Sequence, residues 1–125
     1  MAFESVLKTK SYLFSIEIIK TFQSICSTKK EFVLSKQLLR CGTSIGAMIR
    51  EAEFAQSNAD FINKFSVALK EANECEYWLC LLKDSDYLKE EEFEPLQNQV
   101  LELIRLLVAT IKTLKSKETS KKTII

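Results

Sequence analysis

Glu71, Glu74 and Glu76 crowd one short stretch of the chain. Carboxylates so spaced can share a metal ion or work as an acid–base pair. On a helix, the i, i+3 spacing brings Glu71 and Glu74 together, while Glu76 falls beside the apolar seam; Glu51 flanks a seam in the same way. The chain has no histidine. That removes the Ser-His-Asp and Cys-His arrangements, the usual general base and the Glu-x-x-His motif of di-iron bundles. The acids therefore read as structural, reaching Arg or Lys across helices. Cys26, Cys41, Cys75 and Cys80 form no C-x-x-C pair, and each lies on or beside an apolar stripe. They read as buried free thiols of a reducing, cytoplasmic compartment. Gly42 and Gly46 interrupt a helical pattern and do not join a strand to a helix, so they make no phosphate loop. The expectation is a protein that is not an enzyme and holds no cofactor or metal.

Cations offer more. Opposite the apolar seam of the second helix stand Lys36, Arg40, Thr43, Ala47 and Arg50, a stripe of three cations with no acid of its own. The fourth helix presents Arg105 and Lys112 on one line, followed by Lys115, Lys117, Lys121 and Lys122; the acids between Asp84 and Glu94 gather at its other end. With a net charge of only +1, any electrostatic footprint must come from such local segregation. Lys36, Arg40 and Arg50, then Lys112 and Lys115, are the candidate nucleic-acid contacts. One stripe binds phosphates weakly, and repeated copies would multiply it.

The elements that must position these residues follow from 125 residues holding two glycines and one proline. That is one domain, with too little turn chemistry for a multi-stranded sheet. The expected fold is all-α: an antiparallel up-down four-helix bundle over residues 1–115, with a basic, disordered tail at 116–125. Helix 1 is expected from Val6 to Ser27, with Phe14, Ile18, Phe22 and Ile25 in one stripe and Tyr12, Ile16, Ile19 and Cys26 in a second. Thr28-Lys29-Lys30-Glu31 has the form of a capping box, with Ser35 as a rival cap, so helix 2 starts between Lys29 and Ser35. Its seam is Leu34, Leu38, Cys41, Ile45, Met48 and Ala52. Two glycines one turn apart beside that seam point to a neighbouring helix in close approach. Ser57 to Asp60 forms a linker and N-cap. Helix 3 then carries Phe61, Phe65, Ala68, Ala72, Cys75, Leu79 and Leu82. Helix 4 opens near Lys89–Glu92, with Pro95 delaying or kinking it, and buries Phe93, Leu96, Val100, Leu103, Leu107 and Leu114. The N-terminus lacks the layout of a signal peptide, and no apolar run approaches the roughly 20 residues that span a bilayer.

Helix 4 is apolar on more than one face, through Leu101, Ile104, Leu106, Val108 and Ile111. Helix 3 adds Tyr77 and Trp78 outside its seam. A lone bundle keeps one face of every helix in water, so these residues are assigned to a homo-oligomer interface.

Leu34-Ser-Lys-Gln-Leu-Leu-Arg-Cys-Gly-Thr-Ser-Ile-Gly-Ala-Met-Ile-Arg-Glu-Ala52 resembles the signature of the four-helix-bundle proteins encoded in 23S rRNA intervening sequences. Leu34, Ser35, Gln37, Leu38, Arg40, Ser44, Ile45, Ile49 and Glu51 match it; Met48 replaces a usual Asn, and Gly46 a frequent Pro. Ala59–Ile62 and Ala68–Leu79 are similar to that family's third helix, so the likeness spans about residues 6–115. It implies a ring-like homopentamer. The chain is also similar to the accessory subunit of diversity-generating retroelements, a pentamer that binds nucleic acid and a reverse transcriptase through basic surface residues. The expected function is a non-enzymatic oligomeric scaffold that binds RNA or a ribonucleoprotein. The alternative is a protein–protein adaptor that docks a partner on Tyr77 and Trp78 and binds no nucleic acid.

Overall fold

The computed structural model describes residues 2–124, with side chains from 5 to 119. Four helices carry the fold: α1 Ala2–Ser24, α2 Leu34–Ala52, α3 Asn58–Asp84 and α4 Glu90–Ile124. Each packs against its neighbours in sequence and α1 closes on α4, so α2 and α4 stand at diagonal corners. No strand occurs among the described residues. The all-α single-domain bundle is as the pattern predicts.

The turns show why the helices begin and end where they do. α1 does not stop at Ser24: it widens into a π-helical turn, Ile25–Lys29, and ends at Lys30 in the left-handed region (φ 54°, ψ 33°). Thr28 takes no part in a capping box, because its hydroxyl donates back to the Ser24 carbonyl at 2.7 Å. The cap is Glu31 alone. Its carboxylate accepts from the amides of Val33, Leu34 and Ser35 at 3.0, 2.8 and 2.8 Å, satisfying donors that the first turn of α2 leaves free. A box-like cap lies at α3: Ser57 Oγ accepts from the Asp60 amide at 3.1 Å, and Asp60 accepts from the amide of Gln56, one residue before the cap, at 3.2 Å. Glu92 likewise turns back to the Lys89 amide at 3.0 Å and helps α4 start at Glu90. Pro95 sits inside α4, past the turn where delay was expected. At the other end α4 runs on through the segment set off as a disordered tail. Asn58 donates to Glu118 at 3.4 Å, so this part of α4 still lies against the start of α3.

The core takes one stripe from each helix. Phe14 and Ile18 of α1, Leu38 and Ile45 of α2, Phe65 and Leu79 of α3, and Val100 and Leu103 of α4 are essentially inaccessible. In α2 Ile49, not Met48, completes the buried face, and Leu34 is half-buried. Ile49 lies four residues past Ile45 and so shares the face of the buried Leu38 and Ile45, while Ala52 stays on the seam as expected. In α1 Phe22 is half-buried, and Leu7 and Ser11 are buried instead. Gly42 explains the close approach of α1 and α2: a Cβ there would lie 2.8 Å from Ile18 Cγ1 and 2.9 Å from Cγ2. At Gly46 the nearest atom would be Ser11 Oγ at 3.3 Å.

Candidate nucleic-acid interface

The basic stripe of α2 faces outward, with Lys36, Arg40 and Arg50 all exposed. It is not free of acids in three dimensions. Arg40 Nη1 donates to Glu71 Oε2 at 2.9 Å, and its Nη2 pairs with Glu74. Nε reaches Gln37 at 3.4 Å, and Glu74 also accepts from Trp78 Nε1 at 3.0 Å. Two carboxylates face one guanidinium, so the charge of Arg40 itself is met within the chain. Arg40 is a strut between α2 and α3, consistent with the structural reading of Glu71 and Glu74. Glu51 plays the same part toward Lys64, 3.6 Å away.

Arg50 lies over the ring of Tyr12, 5.8 Å from its centroid, at one end of a groove between α1 and α2. The groove encloses about 360 Å³ between Lys8, Tyr12 and Ile19 on one wall and Thr43, Ala47 and Arg50 on the other. Lys36 makes no ion pair with a described residue and stands near the other end of α2. On α4, Lys112 and Lys115 are exposed. Since α4 is diagonal to α2, a single chain does not merge the two stripes into one surface. Lys121 and Lys122 lie outside the described side chains.

The residues assigned to an oligomer interface divide. Ile111 is 8% exposed and belongs to the core of its own chain. It lies one turn past Leu107, on the face that Leu103 and Leu107 already commit. Ile104, Leu106 and Trp78 are half-buried against that core, and Leu101 is intermediate. Only Val108, at 36%, and Tyr77 are exposed. Tyr77 meets Trp78 edge to face, with centroids 5.1 Å apart. On the helices the open apolar surface is mainly that of α1, while Phe32, Val33 and Phe54 are exposed in the connections. Tyr12 is 56% and Leu13 55% exposed, with Ile19 and Val6 near them on the side turned away from the core. The second stripe of helix 1 pointed there through Tyr12 and Ile19. Val6 and Leu13 repeat the same seven-residue spacing on the neighbouring line of the helix.

Of the four free thiols, Cys41 and Cys75 are buried as expected, while Cys26 and Cys80 are only half-buried. The neighbouring Cys41 thiol, then burial, pushes the Cys75 thiol well above the ordinary range. Burial, then the bond to Glu76, raises Cys80 to about 11; its Sγ donates to Glu76 Oε2 at 2.9 Å. Among the described residues no group of three or more His, Cys, Asp or Glu is placed to hold a metal ion. No helix among them is long and apolar enough to cross a membrane.

Residues 4–109 match the family model of the 23S rRNA-intervening sequence protein. Among solved structures, the chain is similar to a protein of unknown function from the S23 ribosomal protein family of Bacteroides thetaiotaomicron. The two are 52% identical with a TM-score of 0.86, over 88% of this chain and 98% of that one. None of the curated proteins matches the chain.

Proposed function

Because this chain belongs to the family of 23S rRNA-intervening sequence proteins, we propose that it acts as a non-enzymatic, homo-oligomeric scaffold, a pentamer by preference, that binds RNA or a ribonucleoprotein electrostatically. The observation that carries the reading is the outer face of α1. Tyr12, Leu13 and Ile19 stay open while every helix has already supplied a stripe to a closed core. Apolar surface of that kind on a folded chain is the mark of a contact with another one. Repetition around a ring supports the binding half. It multiplies the cations of α2 and α4, which one chain keeps on diagonal corners. With Arg40 clamped by Glu71 and Glu74, the phosphate contacts fall to Lys36 and Arg50, then to Lys112 and Lys115.

The test is a salt titration of binding to a structured RNA. The logarithm of the affinity falls linearly with the logarithm of salt concentration. Lys36→Glu with Arg50→Glu lowers the affinity while the helical circular dichroism stays unchanged. Undetectable or salt-independent binding at micromolar protein would sink the reading. A protein partner recovered equally with and without nuclease treatment would favour the adaptor role through Tyr77.

A further inference from the structure

The reach between α1 and α2 carries three lysines within eight residues, Lys29, Lys30 and Lys36, all exposed. None of them forms an ion pair with a described residue. Five lysines of the helices are neutralised by acids, Lys8 by Glu53, Lys10 by Glu102, Lys20 by Glu17, Lys64 by Glu51 and Lys83 by Glu90, whereas this turn gathers its unpaired cations beside an exposed aromatic ring. The acid of this turn, Glu31, is consumed internally, its two carboxylate oxygens holding three amides at the start of α2. The same turn exposes Phe32 at 53% and Val33 at 73%. The path that presents them is costly, since Lys30 occupies the left-handed region without being glycine.

We propose that this turn binds single-stranded nucleic acid, with Phe32 as a stacking platform for one base and Lys29, Lys30 and Lys36 as its phosphate contacts. An aromatic ring set among free cations is the pairing that single strands require. Every base has a π-face to stack, and every linkage carries a phosphate to neutralise. A duplex offers the phosphates but hides the faces of its bases. The direction of the strand is constrained as well. The acidic start of α4 lies against the end of α1, where Glu91 and Glu92 share a groove with Ser24. A polyanion is repelled on that side and led across the turn toward Lys36 on α2. The site rests on the proposed RNA-binding reading and places the contact on a turn, not along the stripe.

The test compares a single-stranded RNA of roughly 12 nucleotides carrying one fluorescent base analogue with a fully paired duplex and with anionic lipid vesicles. The wild-type protein quenches the analogue. Phe32→Ala abolishes the quench and weakens the single strand about tenfold, with little change on the duplex. Lys30→Gly removes a charge while relieving the left-handed backbone, so it weakens binding without lowering the thermal midpoint. If the wild-type protein binds RNA but both variants bind the single strand as it does, this site is wrong and the scaffold reading stands. If the wild-type protein binds no nucleic acid, both fail. Binding of vesicles in place of RNA, lost in both variants, also overturns the proposal and assigns the turn to a lipid surface.

Discussion

At Glu31 a single carboxylate decides where a helix begins. Burial pushes its pKa up, but the hydrogen bonds from Leu34, Ser35 and Val33 together outweigh that and hold it below the usual carboxylate range. A group whose folded pKa is depressed stabilises the fold above its unfolded value of 4.5. That contribution fades as pH falls through the lower folded value. Glu31→Ala is therefore expected to cost about 1 kcal/mol in denaturant unfolding near neutral pH, and the difference from wild type shrinks in acid. At Lys30 the sign reverses, and Lys30→Gly gains about 1 kcal/mol by freeing a left-handed residue. Cys80 makes a chemical prediction. With its thiol raised to about 11 by burial and Glu76, alkylation at pH 8 is slow, and Glu76→Gln accelerates it; a rate unchanged by that substitution contradicts the assignment. None of these details could be read from the residues alone. Thr28 and Glu31 have capping-box spacing, yet the π-helical turn removes Thr28 from reach of α2.

Between elements, the glycines set the separation of α1 and α2. Alanine in a helix interior is worth about 1 kcal/mol over glycine, so both positions would gain were there room. At Gly42 the added Cβ meets both γ-carbons of Ile18, a side chain stiff about χ1, and its Cβ at 3.3 Å, which is fixed to the backbone. Gly42→Ala is expected to destabilise by about 1–3 kcal/mol through overpacking. Gly46→Ala meets only the Ser11 hydroxyl at 3.3 Å and backbone at 3.5 Å and should fall within about 1 kcal/mol of neutral. Thermal unfolding of the two variants ranks them, and equal midpoints would remove the packing argument. Helix number, the stripe of α3 and the close approach at the glycines were legible in the sequence, because periodicity and glycine spacing act locally. Partners across helices were not. Arg40 looked free because its own helix offers no acid, while Glu71 and Glu74 arrive from α3. Ile111 looked surplus because a flat heptad count places it off the seam that the 3.6-residue helix carries it back to.

For the whole molecule, the account turns on which apolar surface is left after one chain has folded. On the helices that surface is chiefly the outer face of α1, so Leu13→Glu is expected to give a folded monomer, with helical signal kept and assembly lost. Ile111→Glu places a charge in the core and is expected to unfold the chain. Leu13→Glu thereby separates a ring held through α1, which it dissolves, from one held through α4, which it leaves assembled. The measurement that bears most directly on the scaffold is the mass of the wild-type protein in solution by light scattering, at concentrations spanning the micromolar range. The account predicts a closed multiple of the 14.4 kDa chain, five copies by preference, that Leu13→Glu reduces to one. A wild-type protein that scatters as a single 14.4 kDa chain throughout that range would contradict it.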